Sequence, residues 1–261
     1  MKKLLYIFSL ALLLAGCNSV KKNQRLLAQG NYEQAIELAV KKLQKNTSSK
    51  KKDGHITVLE KAFQKNVAKD TRRISFLEKQ GNASGAKEIY YTYQNLAYIQ
   101  DKIRPLLPIY SKTLKRDAEF TLKDYSSKII DAKKAYIAYL YVEAGLYMQY
   151  QTRKDYRTAY NIYCELEDVQ PNYKDVSLKK ENARFYGTDF VLIDLKNNTN
   201  QIIPASLEQE LLSINTYGLD KFWTQYHTQQ DSAIDYMYGV TLHFKEITIA
   251  PEKLNEIQQR R

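Results

Sequence analysis

Histidine, cysteine and glycine are scarce in this chain, and each shortage removes a chemistry. The three histidines, His55, His227 and His243, are not spaced as metal ligands, and no His-Glu-x-x-His or Cys-x-x-Cys pair occurs. Nine glycines in 261 residues form no phosphate-cradling loop, and there is no Gly-x-Ser-x-Gly elbow. Carboxylates are frequent along the chain, but no pair of them stands apart from ordinary surface charge. We therefore expect no metal, no cofactor and no catalytic residue, and read the chain as a non-enzyme. Long apolar runs are also missing. The one candidate, Leu4 to Leu14, falls short of the roughly 20 residues that a transmembrane helix needs.

That short run is informative in its setting. Met1-Lys2-Lys3 supplies a positive start, the apolar run follows, and small residues close it, which is the pattern of a secretory signal. Its end, Leu14-Ala15-Gly16-Cys17, resembles a bacterial lipobox. The resemblance implies cleavage before Cys17 and diacylglycerol on its sulfur, with residues 1–16 as signal peptide and 17–24 as a lipidated tether. Two or more acyl chains, at about 0.8 kcal/mol per buried CH₂, hold a protein on a membrane. Lys21, Lys22 and Arg25 then lie near the headgroups. Asn18, by resemblance to enterobacterial lipoproteins, favours the outer membrane. Surface-exported lipoproteins of some Bacteroidetes carry acidic residues after the Cys. "NSVKK" has none and does not resemble them, which implies a body facing the periplasm. With Cys17 acylated, Cys164 has no disulfide partner. Its place in a periodic helical stretch marks it as a small buried hydrophobe.

The chain is 44% hydrophobic, enough for a real core, and its net charge is +11, or about +9 once Lys2 and Lys3 leave with the signal. Basic residues are scattered among Asp and Glu rather than gathered, so we read a solvated helical surface and expect no nucleic-acid partner.

Residues 25–186 read as a helical domain. Residues 55–80 form one long helix with Ile56, Leu59, Phe63, Val67, Ile74 and Leu77 near one face, preceded by a polar loop, "NTSSKKKDG", at 46–54. Gly81 and Gly85 bracket a turn, and "RPLLP" at 104–108 reverses the chain. In "KDYRTAYNIYCELEDVQPNYKD", 154–175, Tyr156, Ala159, Tyr163 and Leu166 fall at helical spacing and Pro171 closes the helix. This segment resembles the second helix and exit of a tetratricopeptide repeat, with 135–150 supplying the first helix. A small Ala lets two helices cross closely, and Pro denies the next backbone donor. "GNYEQAIELAVKKL", 30–43, resembles the same motif through Gly30, Tyr32 and Ala35, but Thr47 stands where the closing Pro belongs. The match at 81–96 keeps only Ala86 and Tyr90. Ala35 and Ala159 are 124 residues apart, not a multiple of the family's roughly 34-residue period, so the array is irregular. The 22 tyrosines, clustered at 90–98 and 136–150, either pack helix on helix or line an aromatic groove for a peptide or glycan.

Residues 187–261 change character. "FVLIDL", 190–195, reads as a strand, Pro204 to Tyr217 as a helix with Leu207, Leu211 and Ile214 along one side, and 234–244 as a half-buried strand. The last puts Ile234, Tyr236, Tyr238, Val240, Leu242 and Phe244 on one face, with His243 on the other. This order, with "NNT" and "IDYMYGVTLHF", resembles the start of modules in curli-secretion lipoproteins and lipoprotein activators of peptidoglycan synthases. Two strands rarely stand alone in water, so they pack on the helices or another chain completes the sheet. The expected fold is mainly α: an irregular tetratricopeptide-like array followed by a small C-terminal β-α-β element. The expected function is a periplasm-facing, outer-membrane lipoprotein scaffold or assembly factor. The alternative is a regulator of peptidoglycan synthesis enzymes that also touches peptidoglycan.

Overall fold

The computed structural model describes residues 19–45, 49–204, 206–207 and 221–246. Cys17, the signal segment and most of the expected 204–217 helix lie outside these residues. The fold is mainly α, with a small parallel sheet late in the chain. Two compact units divide at Tyr139/Leu140.

The first unit is built on α1 (19–28), α2 (Tyr32–Gln44), α3 (Ser49–Gln80) and α4 (Ala86–Ile103). Residues 19–24, read as a tether, are the first turns of α1. Asn23 there is fully buried, and Leu26 and Leu27 pack on the core, so these residues gain more by docking as a helix than by staying extended. Gly30 ends α1 at φ +80°, where the Asn31 and Gly30 amides donate to the Leu26 and Leu27 carbonyls (2.9 and 3.3 Å). The core joins Ala35, Ile36, Ala39, Val40 and Leu43 of α2 to Ile56, Leu59 and Phe63 of α3 and Ile99 and Ile103 of α4. Each large side chain so buried contributes about 1.5–3 kcal/mol. The expected apolar face of α3 holds at Ile74 and Leu77 as well.

Two expectations for this unit need correcting. Residues 49–54 are helical rather than loop: α3 starts there, and its Asp53 is a buried anchor. The region after α4 is not helix after helix. A 3-10 turn at Arg104–Leu106 leads into a hairpin, β1 (Tyr110–Ser111) paired antiparallel with β2 (Arg116–Asp117). Carboxylates of α3 pin this hairpin. Asp53 accepts from Ser111 Oγ (2.8 Å), Thr113 N (3.0 Å) and Thr113 Oγ1, and Glu60 accepts from Arg116 Nη1 (2.8 Å) and Glu119 N (2.9 Å). Of the clustered tyrosines of α4, Tyr90 is buried, Tyr93 half-buried, and Tyr91 and Tyr98 exposed. Tyr90 and Tyr91 lie 5.9 and 6.1 Å, centroid to centroid, from the buried Tyr136 of α5 (Ser126–Gln149), and Tyr93 lies 5.9 Å from Tyr125.

The second unit contains the end of α5, α6 (Arg153–Val169), α7 (Val176–Gly187) and strands β3 (Asp189–Asn197), β4 (Thr224–His227) and β5 (Tyr238–Phe244). Thr152 caps α6 through the Asp155 amide (3.2 Å), and the helix stops at Val169, two residues before the exposed Pro171. Ala159, Tyr163 and Leu166 are fully buried, as their spacing predicts. However, α6 packs closely along α7 rather than along α5, the partner that the repeat reading supplies. From α5, Tyr141 reaches the loop joining α6 and α7, donating to Asp175 (2.8 Å) and receiving from Lys179 Nζ (2.7 Å).

The sheet has three parallel strands in the order β4-β3-β5. β4 was not foreseen, and it relieves the problem of two strands standing alone. The second expected strand begins at Tyr238 instead of Ile234, and it is exposed on both faces instead of half-buried. Only β3, in the centre, buries its apolar residues Phe190, Val191 and Leu195.

Candidate functional site

The second unit holds an open cleft of about 640 Å³ where α6 begins, α7 ends and β3 starts. Arg153 and Arg157, one turn apart on α6, both reach Asp189, the first residue of β3. Arg153 Nε lies 3.3 Å from Asp189 Oδ1 and Arg157 Nη2 lies 2.7 Å from Oδ2. Arg157 also donates to the Gly187 carbonyl (2.8 Å) and lies over the Trp223 ring at 5.3 Å. Gly187 is needed at this spot, because a Cβ there would stand 2.9 Å from Trp223 and 3.2 Å from the Arg157 side chain. The arginines are thus fixed in place before any ligand arrives.

The apolar wall is aromatic. Tyr156 and Tyr186 stack at 5.2 Å with 30° between planes, and Phe185 contacts Tyr186 and Phe190 at 5.3 and 5.4 Å. Met237, half-exposed, and Asp235 complete the rim beside the start of β5. From this rim β5 continues with Tyr238, Val240 and Leu242 alternating on one face, all exposed. It pairs with β3 through seven residues, Val191↔Tyr238 to Asn197↔Phe244, and with no other strand among the described residues.

The residues that the sequence singles out do not form this site. Tyr32, half-buried, and Ala35, fully buried, belong to the first unit. Tyr156 alone of the repeat positions lines the cleft, while Ala159 is in the core and Pro171 is exposed in a loop. Cys164 is a half-buried free thiol on α6. His55 is buried in the first unit, 3.1 Å from Asn23 Nδ2, and burial together with the Lys42 charge holds its pKa below the ordinary value. His227 lies 2.8 Å from Tyr236 Oη, and His243, exposed, lies 3.1 Å from Asn198 Nδ2. Among the described residues no group of three His, Cys, Asp or Glu is placed to hold a metal ion. Arg153, Arg157 and Asp189 escaped sequence reading because their proximity depends on α6 meeting the start of β3. The only local signal was a pair of arginines at i, i+4 opening a helix.

Residues 1–18 match the family model of the prokaryotic membrane lipoprotein lipid attachment site, a span that includes Cys17. The match supports a bacterial lipoprotein anchored to a membrane through lipid. No curated protein and no solved structure matches the chain, and no match supports the tetratricopeptide, curli-secretion or synthase-activator resemblances. No helix among the described residues is long and apolar enough to cross a membrane.

Proposed function

We propose that this lipid-anchored protein is a non-catalytic scaffold on the periplasmic face of the outer membrane, joining an envelope protein through strand addition at β5. One observation carries the reading: β5 is seven residues long, exposed on both faces, and paired only with β3 among the described residues. An edge strand of this length, without proline or a run of charge, is a template for another strand, and soluble proteins ordinarily blunt such edges. The partner segment is extended and alternates apolar with polar residues, so that its apolar side chains continue the row of Tyr238, Val240 and Leu242. The polar side carries neutral hydrogen-bonding residues, because Thr241 and His243 share their face with Asp194 and Lys196 of β3, whose charges offset.

The test is capture from detergent-solubilised envelopes with wild type and with the double variant Val240→Lys, Leu242→Lys. Both side chains are about 40% exposed (41% and 39%), so the variant folds with a melting temperature close to wild type. Wild type retains a defined set of envelope proteins, and the variant loses them. Capture of the same set by the variant overturns strand addition at β5.

A further inference from the structure

We propose that the cleft between the start of α6 and the start of β3 binds a neutral glycan, with sugar rings on the Tyr156–Tyr186 stack and hydroxyls on the Arg153–Asp189–Arg157 cluster. The inference uses a different surface from β5 and does not depend on strand addition there.

The lining groups select among ligand classes. Its charged side chains are two arginines and two aspartates, which cancel, and both arginines are already paired with Asp189. An anion gains little from guanidiniums that a carboxylate neutralises, and a cation meets two guanidiniums. A peptide main chain finds no free backbone edge at the strand starts either. The Asp189 amide donates to the Trp223 carbonyl (2.9 Å), Thr188 N to Phe185 O (3.1 Å), and Met237 N to Phe190 O (3.1 Å).

What remains available is hydroxyl-directed. Paired guanidinium and carboxylate groups keep spare N–H donors and oxygen lone pairs, and both are held in fixed planes. Asp235 adds an exposed carboxylate along the same cleft. The same cleft holds the aromatic wall, where Tyr186 is 53% exposed although one ring face is covered by Tyr156. A pyranose has a polar rim of hydroxyls and an apolar C–H face, which matches a cleft lined by a fixed polar cluster and an aromatic plane. The volume of about 640 Å³ suits a short oligosaccharide.

Trp223 is the chain's single tryptophan and touches Arg157, so it reports on the cleft. The experiment titrates the full-length lipoprotein, in a detergent without a sugar headgroup, with chitotetraose and separately with maltotetraose. Calorimetry runs beside tryptophan fluorescence. Saturable binding of either sugar supports the proposal. Binding of chitotetraose alone marks an N-acetylated, wall-type glycan, and binding of maltotetraose alone marks a plain glucan. Tyr186→Ala weakens binding at least tenfold and Tyr186→Phe keeps it, because the ring and not the hydroxyl does the stacking. Tyr98→Ala, an equally exposed tyrosine on α4 of the first unit, leaves binding unchanged and guards against a general effect of losing a surface tyrosine. Failure of both sugars to bind at millimolar concentration, or wild-type affinity in Tyr186→Ala, overturns the proposal and leaves the β5 reading untouched.

Discussion

Asp70 and Asp53 sit on the same helix, both buried, and are shifted in opposite directions. Burial raises the pKa of Asp70, and Glu33 adds to the rise against the opposing effects of Lys69 and the single hydrogen bond from Asn66 Nδ2 (2.9 Å). The folded state therefore favours the protonated acid, and the stability that this contributes is lost as pH climbs through the raised pKa. Beside it, Asn66 Oδ1 is buried without a hydrogen-bond partner among the described residues. Asp70→Asn removes the buried charge and offers an N–H to that oxygen. It should stabilise the protein by about 1 kcal/mol at pH 8, with the gain shrinking toward pH 4 as the wild-type carboxyl takes up its proton. Thermal melts at the two pH values check this, and a lower melting temperature for the variant at pH 8 would refute it. For Asp53, burial also pushes upward, but hydrogen bonds from Thr113, Ser111 and the hairpin backbone outweigh it and lower the pKa. Its stabilisation is present above the ordinary carboxylate range and is lost as pH falls through the lowered folded value. Asp53→Asn turns an acceptor toward Thr113 into a donor and should cost about 1–3 kcal/mol at neutral pH, a deficit that narrows in acid. A variant as stable as wild type at pH 7 would show that the hairpin is held by other contacts. In the sequence these two carboxylates look alike; only the fold decides which one acquires donors.

At the scale of elements, the long periodic helices were legible and the irregular connections were not. The apolar faces of α2, α3 and α6 follow from spacing alone, because a 3.6-residue repeat needs no knowledge of the partner. The hairpin at 110–117 has two-residue strands, too short to show alternation, and it persists because distant α3 carboxylates bind it. β4 has four residues and no apolar run, so its pairing with β3 is a tertiary event. The cleft was illegible for the same reason, apart from Tyr156. The docking of α1 on α3 gives a test at this scale. A Cβ on Gly54 would lie 2.8 Å from Val20 Cγ1, so the two helices approach only because that position is bare. Gly54→Ala raises intrinsic helix propensity by about 1 kcal/mol, yet it should lower the melting temperature because α1 must shift away. Val20→Ala combined with it should recover part of the loss, and a double-mutant cycle reads the coupling directly. A higher melting temperature in Gly54→Ala alone would mean that Val20 yields freely.

For the whole molecule, composition and the lipobox indicated a lipid-anchored, mainly helical protein, whereas the division into two units was hidden. It falls at Tyr139/Leu140 inside α5, a helix of 24 residues with no proline to mark a break, while the change of composition at Gly187 lies within the second unit. α1 begins at residue 19, two positions after Cys17, so a rise of about 1.5 Å per residue replaces the reach of roughly 3.5 Å per residue that an extended tether would give. With lipid on Cys17, this short connection would hold the first unit close to the bilayer. The lipid attachment site matched at residues 1–18 supports an anchor of acyl chains. Cys17→Ala removes them and should move the protein from the membrane pellet to the soluble fraction. Lys21, Lys22 and Arg25 leave a residual attraction to anionic headgroups, at about 1 kcal/mol each, and salt screens it. Fractionation at low and high salt separates the two contributions. The wild type stays in the pellet at both, and the variant is partly retained only at low salt. A variant that stays in the pellet at high salt as fully as wild type would overturn the acyl anchor on Cys17 as what holds the protein on the membrane.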